Sequence, residues 1–338
     1  MTKKNLVLIF IIVGIITTYI FHRDRFLIPV QKTEILMDTV VTVKIYGKDK
    51  NYLEDLIDNT FRLLRRLSIK INNYNKNGEI YKINKYAGIK PVKVDKVIID
   101  FLEKSMALCR STGNYLDISI GAVLKLWGFA TQHPHIPDKK ALENALKLKG
   151  LQFIKIDKKN NTVFITKKGI SIDVGAVAKG YIIDRGIEYL KSKKISKGVI
   201  NAGGDIRFIG FKENRKVLWN VGIRNPFKND EYNVIKTLKV GNWAVVTSGD
   251  YERFFIKNGI KYHHIINPFT GYPARGVHSV TVCANSAFIA DGLATAIFVM
   301  GKKVFQKNFY SKFKKIPHFR VVIITSPNEI FDTNYNIH

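Results

Sequence analysis

Asp291 and Thr295 stand four residues apart in the run ADGLATA (290–296), so a helix through it sets a carboxylate and a hydroxyl on one face. Their neighbours are small and apolar, and a carboxylate on an apolar helix is costly unless it is paired or metal-bound. Hard oxygen donors of this kind suit Mg2+ or Ca2+ better than zinc. The same run also reads as a helix with Asp291 at its N-cap. A second cluster, IDVGAVAKGY (172–181), takes an acid off a strand, passes a glycine that admits close backbone approach, and puts Lys179 in a first helical turn. That layout suits an anionic ligand at a helix N-terminus. It is not a P-loop, since GxxxxGK[ST] is absent, and no GxGxxG occurs. NAGGD (201–205) reads as a tight turn between strands. TSGDYER (247–253) and YHHIINPFTGYP (262–273) form a polar stretch with adjacent histidines. Neighbours on a strand point to opposite faces, so at most one of His263 and His264 faces a site.

These clusters need elements to hold them. Residues 32–46 alternate as a strand, and 53–71 carry apolar residues at helical spacing. Helices are expected again at 97–111, 141–148, 175–189 and 290–301. Short strands are expected at 153–156, 162–166, 170–174, 198–200, 205–209, 219–223, 243–247, 277–283 and 320–325. Strands and helices do not alternate strictly, which predicts an α+β fold, with mixed sheets and flanking helices in a single catalytic domain over 31–338. Residues 1–30 read as a signal anchor and linker: Lys3 and Lys4 precede an uncharged run from Asn5 to Phe21, stopped by His22, Arg23, Asp24 and Arg25. No small-x-small cleavage site follows, so an uncleaved membrane anchor is preferred to a cleaved signal peptide.

The charge is strongly positive, with 55 Lys+Arg against 27 Asp+Glu, a formal +28. It first suggests nucleic acid or an anionic surface. Of the basic residues 42 are Lys and only 13 Arg, scattered as pairs such as Lys139-Lys140 and Lys193-Lys194, without a focused groove or interleaved aromatics. This predicts solvated faces and no nucleic-acid partner. The two cysteines, Cys109 and Cys283, have no CxxC or metal spacing and read as buried thiols.

Taken together the clusters resemble the ApbE family of FAD:protein FMN transferases. The segments that carry the likeness run from residue 37 to 301: MDT (37–39), YLD (115–117) with LWGF (126–129), DVGAVAKGY (173–181), NAGGD, TSGDYER, 262–273 and 279–301. The resemblance implies that FAD is cleaved at its pyrophosphate and that FMN is joined by a phosphoester to a Ser or Thr of another protein, releasing AMP. It further implies Mg2+ held by Asp291, Thr295 and the backbone carbonyl of Ala176. FAD contacts are implied at Met37, Tyr74, Tyr115, Leu116, Asp117, Asp173, Lys179 and Ile265. His264, paired with Asp250 as its orienting acid, is expected as general base for the target hydroxyl, alongside Asp291 as a catalytic residue. The acceptors implied are proteins of membrane redox complexes, which puts the catalytic domain on the extracytoplasmic, periplasmic side of the cell inner membrane. Two positions depart from the family pattern: Asn267 replaces the usual Asp after the Ile-Ile pair, and Leu116-Asp117-Ile118-Ser119 replaces Phe-Asp-Pro-Thr. Loss of the carboxylate at 267 is expected to weaken a turn amide contact or the metal shell. The same residues would also serve an FAD pyrophosphatase with water as acceptor, or a flavin-binding protein without turnover.

Overall fold

The computed structural model describes residues 27–333 except 132, 213–216, 229, 231 and 310–318. Strand β1 (Ile28–Leu36) and strand β2 (Thr39–Gly47) pair antiparallel over their whole length. The turn between them is Met37-Asp38, both at positive φ (56° and 57°), the backbone that two-residue hairpins require. The single strand expected over 32–46 is therefore a hairpin, whose turn carries a methionine instead of the usual Gly or Asn. Strand β3 (Val92–Lys93), β4 (Ile154–Asp157) and β5 (Thr162–Ile165) make a small separate sheet. Then follow β6 (Gly198–Ala202), β7 (Asp205–Ile209), β8 (Trp219–Arg224), β9 (Val234–Val240) and β10 (Ala244–Gly249). The last are β11 (Phe254–Lys257), β12 (Ile260–His263), β13 (Ser279–Ala284), β14 (Arg320–Ser326) and β15 (Glu329–Asp332).

The main sheet has the order β1-β2-β6-β7-β10-β13-β14-β15, and every pair in it is antiparallel. The small sheets are antiparallel as well. Mixed sheets are thus corrected to antiparallel ones; the parallel contact seen is an isolated bridge, Ile120 to Ser171. Hairpin-length connections join β1 to β2, β6 to β7 and β14 to β15, and such links impose antiparallel pairing.

Alternation along the strands divides the sheet into two buried faces. One presents Val246, Val280, Val282, Val321 and Ile323 to the main core. The other presents Phe208, Val245, Cys283, Val322 and Ile324 to the β8–β9 hairpin, where Phe208 stacks on Trp219 at 5.1 Å. In the core of the first face lie helix α1 (Lys50–Ile71), α2 (Glu79–Lys85) and α3 (Lys96–Ser111), then, past α4 (Gly121–Trp127) and α5 (Lys139–Leu146), which gather a separate cluster around Trp127, α6 (Ala178–Ser192) and α7 (Ala287–Val304). Helix α1 starts at Asp49, whose carboxylate accepts from Tyr52 N at 3.1 Å, and buries the stripe Leu53, Leu56, Ile57, Phe61, Leu64, Leu67 and Ile71. Each such side chain contributes about 1.5–3 kcal/mol on burial. Both cysteines are buried and unpaired.

The strand expected at 170–174 is not a ladder member. Asn84 explains how it stays extended without one: its amide donates to Ile172 O at 2.8 Å and accepts from Ile172 N at 2.7 Å. One side chain thus does for Ile172 what a neighbouring strand would do. Among the described residues no helix is long and apolar enough to cross a membrane. Of the expected anchor and linker, residues 1–26 lie outside the described residues, and β1 already begins at Ile28.

Candidate active site

Asp291 is not the N-cap of its helix. Ser286 holds that position, with its Oγ accepting from Ile289 N at 3.2 Å. Asp184, one turn along α6 from Gly180, reinforces the start: its carboxylate accepts from Ser286 Oγ (2.6 Å), Ala287 N (2.9 Å) and Phe288 N (3.0 Å). Helix α6 can lie this close to α7 because residue 180 is glycine; a Cβ there would stand 2.3 Å from Ala287 O. The Gly180 N–H points across to Asp291 Oδ2 at 3.0 Å. Gly180 is the third residue of α6, so its amide is one of the helix-start donors with no acceptor in the helix, and Asp291 supplies one. The Ala176 carbonyl, just before the N-cap Val177, has no hydrogen-bond donor among the described residues. Thr295, a turn beyond Asp291, lies 3.3 Å from Ser248 Oγ on β10.

The donors gathered here are a carboxylate, a hydroxyl and a free carbonyl, and all are hard oxygens. Asp291 is 5% exposed, and burial together with the nearby Asp205 pushes its carboxyl well above the usual range. A divalent cation would relieve that cost, so the residues fit Mg2+. No group of three or more His, Cys, Asp or Glu is placed to hold a metal among the described residues.

Lys179 is the neighbouring cation, 2.6 Å from Asp205 Oδ2. Burial works against its charge, but Asp205 and Asp291 outweigh it and hold the ammonium above its ordinary pKa. Asp173 is saturated by its own surroundings: Tyr74 OH (2.9 Å) and Asn73 Nδ2 (3.0 Å) donate to Oδ2, and Gly175 N donates to Oδ1 at 3.0 Å. Burial and Asp173 raise the Tyr74 pKa, so its hydroxyl stays a donor while the ring is 49% exposed and open to a flat ligand. Arg253 acts on both Tyr74 and His264, and Lys179 also acts on His264. The hydrogen bonds of Tyr74 and Asn73 to Asp173 join the loop after α1 to the 172–181 turn.

The two histidines separate as expected. His263 is buried, its Nε2 2.8 Å from Ala274 O and its ring edge-on to Phe298. His264 is half-buried, with Nδ1 3.2 Å from Arg253 O; burial and then the Arg253 charge push its pKa down to about 3. The expected Asp250–His264 pair does not form. Asp250 instead meets His278 Nδ1 at 2.9 Å and Lys261 Nζ at 3.3 Å. Asn267 keeps the turn that an Asp would have capped, since its amide oxygen accepts from Phe269 N at 2.8 Å and Thr270 N at 3.4 Å.

The remaining expected contacts divide by what their atoms already do. Met37 sits partly buried in the hairpin turn, against the Gly203 turn through Thr39. Tyr115 meets Phe269 edge-on at 5.1 Å. Leu116 is buried, and a Cβ on Gly292 of α7 would stand 3.1 Å from it. Asp117 turns its carboxylate to Ser119 N (2.8 Å) and Oγ (2.6 Å) and so shapes the loop. Ile265 is buried, with its N–H on His263 Nδ1 and its carbonyl accepting from Ala274 N. Sequence reasoning passed over Asp205, Asn73, Asn84 and Asp184. The acid following Gly-Gly at a strand start was the available signal for Asp205; the others become visible only when distant segments meet.

A sequence model of the ApbE family matches residues 37–315. The chain belongs to the ApbE family. It is 31% identical over 284 residues to the FAD:protein FMN transferase of Treponema pallidum, covering 80% of this chain and 78% of that one. It is likewise 31% identical over 268 residues to a Klebsiella pneumoniae protein of the same name, covering 79% of this chain and 81% of the other. Among solved structures, the ApbE protein from Thermotoga maritima superposes with a TM-score of 0.81 at 32% identity, over 91% of this chain and 97% of that chain. The flavin transferase ApbE from Vibrio cholerae gives 0.78 at 26% identity, over 91% and 98%.

Proposed function

We propose that this chain is an FAD:protein FMN transferase that moves FMN from FAD to a Ser or Thr hydroxyl of an acceptor protein, forming a phosphoester and releasing AMP. The observation that carries this reading is the hydrogen bond that ties Asp291, on the same helix as Thr295, to the turn bearing Ala176 and Lys179, in a chain 31% identical to transferases of that name. Mg2+ held by those three oxygens would draw negative charge from the pyrophosphate and stabilise the departing AMP. Lys179 neutralises pyrophosphate oxygens as a point charge. The half-exposed Tyr74 ring offers a platform for a flat ring, steadied through its hydroxyl by Asp173. His264, neutral at pH 7, accepts the proton of the incoming hydroxyl as its oxygen bonds to the FMN phosphorus and the P–O bond to AMP breaks. Apolar residues at 5–21 and the basic flank support a tether to the cell inner membrane, with the site on its extracytoplasmic side and acceptors among membrane redox complexes.

The test is incubation of the full chain with FAD, Mg2+ and an acceptor protein. A flavin-fluorescent acceptor band on a denaturing gel is expected, lost with EDTA and in Asp291→Ala. Free FMN and AMP with no labelled acceptor in any reaction would sink the transferase reading in favour of a pyrophosphatase.

A further inference from the structure

One ammonium stands within the field of two buried carboxylates. Lys179 Nζ is paired with Asp205 at 2.6 Å, and Asp291 attracts it as well. Asp205 and Asp291 are 2% and 5% exposed. We propose that Asp205 is a positioning residue that takes the Lys179 ammonium and thereby keeps Asp291 open to the cation. The inference rests on the metal site proposed above.

The backbone of all three residues is fixed, and only the lysine side chain is free to choose. Asp205 opens β7 directly after Gly203 and Gly204, which hold φ of +60° and +94°. Gly203 N donates to Val40 O at 3.0 Å, and a Cβ at 203 would stand 2.2 Å from Thr39 Oγ1, so the turn is wedged against the β1–β2 hairpin. Asn201 Oδ1 closes it by accepting from Gly204 N at 2.9 Å. Asp205 therefore has no path to water. On the other side, the residue next to Lys179 is tied to Asp291 through the Gly180 N–H. Four rotatable bonds then decide which carboxylate the ammonium meets. With an amide at 205, the partly exposed ammonium loses its counter-charge and turns to the buried Asp291, where an incoming cation must displace it.

Mn2+ serves as the probe, titrated into the full chain without FAD. Asp205→Asn is expected to weaken Mn2+ binding by about tenfold or more, and adding Lys179→Met to recover wild-type affinity to within about threefold. A crystal structure of Asp205→Asn should show Nζ in salt-bridge contact with Asp291. Unchanged Mn2+ affinity in Asp205→Asn overturns the inference. So does weakened binding with Nζ still away from Asp291, which would be a bare field effect. Lys179→Met alone covers the case in which Asp205→Asn fails to fold: affinity within about threefold of wild type supports the clamp, and tightening of about tenfold shows Lys179 already on Asp291 and overturns it. If Asp291→Asn binds Mn2+ as tightly as wild type, the metal site itself falls, and the clamp with it.

Discussion

At the scale of single residues the pH response is set by His264. Burial and the Arg253 charge hold its pKa down at about 3, against an ordinary value of 6.5. A histidine depressed in this way is neutral in the folded chain while the unfolded chain takes up a proton below about pH 6.5. Its contribution to stability is therefore full above pH 6.5 and is lost progressively as pH falls toward 3. Melting curves should show the wild type losing Tm faster than His264→Gln between pH 6.5 and 4; parallel curves would refute this. In catalysis the same shift gives a base that is always unprotonated but weak. An anionic pyrophosphate bound beside Lys179 offsets the positive charges that depress it, so the acid limb of kcat should lie at higher pH than that of kcat/KM. Replacement by Gln is expected to lower kcat by about 10²–10⁴-fold with FAD binding retained. An unaltered kcat removes His264 from the proton transfer.

At the scale of elements, the site is a junction of α6 and α7, and Asp184 makes the junction. Three donors at the start of α7 converge on its carboxylate. Asp184→Ala strands them in a partly buried place, at about 1–3 kcal/mol for hydrogen bonds to a charged acceptor. Differential scanning calorimetry should record a Tm lower by roughly 2–5 °C. Because α7 carries both Asp291 and Thr295, half-saturating Mg2+ should rise as well; a stability loss with unchanged Mg2+ dependence would show that the cap does not set the site. Helices α1 and α3 were legible from apolar spacing, since each presents a long period-3.6 stripe to one core, whereas α7 is buried almost all round and was legible as a continuous apolar run. Elements whose partners are not local escaped. The β1–β2 turn lacks a glycine, β9 finds its register only against β8, and Asn84 holds residue 172 extended from a helix 88 residues away in sequence. The site divides along the same line. Asp291, Thr295 and Lys179 announce themselves by spacing, whereas the Asp250–His278 pair and the Lys179–Asp205 pair depend on how the turns at the ends of β7 and β10 are brought together.

At the scale of the whole molecule, the formal charge of +28 acts on capture and not on chemistry. The 42 lysines are scattered singly and in pairs, and many in the described part meet acids or aromatic faces, as Lys32 does Asp58 and Lys197 does Tyr46. Such surface pairs add little stability. Their summed field nevertheless raises the local concentration of an anionic ligand, and it is screened as the Debye length falls from about 10 Å at 0.1 M salt to about 3 Å at 1 M. Lys179, by contrast, is paired at 2.6 Å with the buried Asp205, and salt screens such a partly buried pair less than separated surface charges. The two contributions can be separated kinetically. Raising NaCl from 0.05 to 0.5 M should increase KM for FAD by about 3–10-fold and leave kcat at saturating FAD and Mg2+ within about twofold. Stopped-flow association of FAD should slow by a similar factor, with little change in dissociation. A collapse of kcat with salt would mean that unpaired surface lysines act in the chemical step, and the division between a steering exterior and a clamped lysine would be wrong.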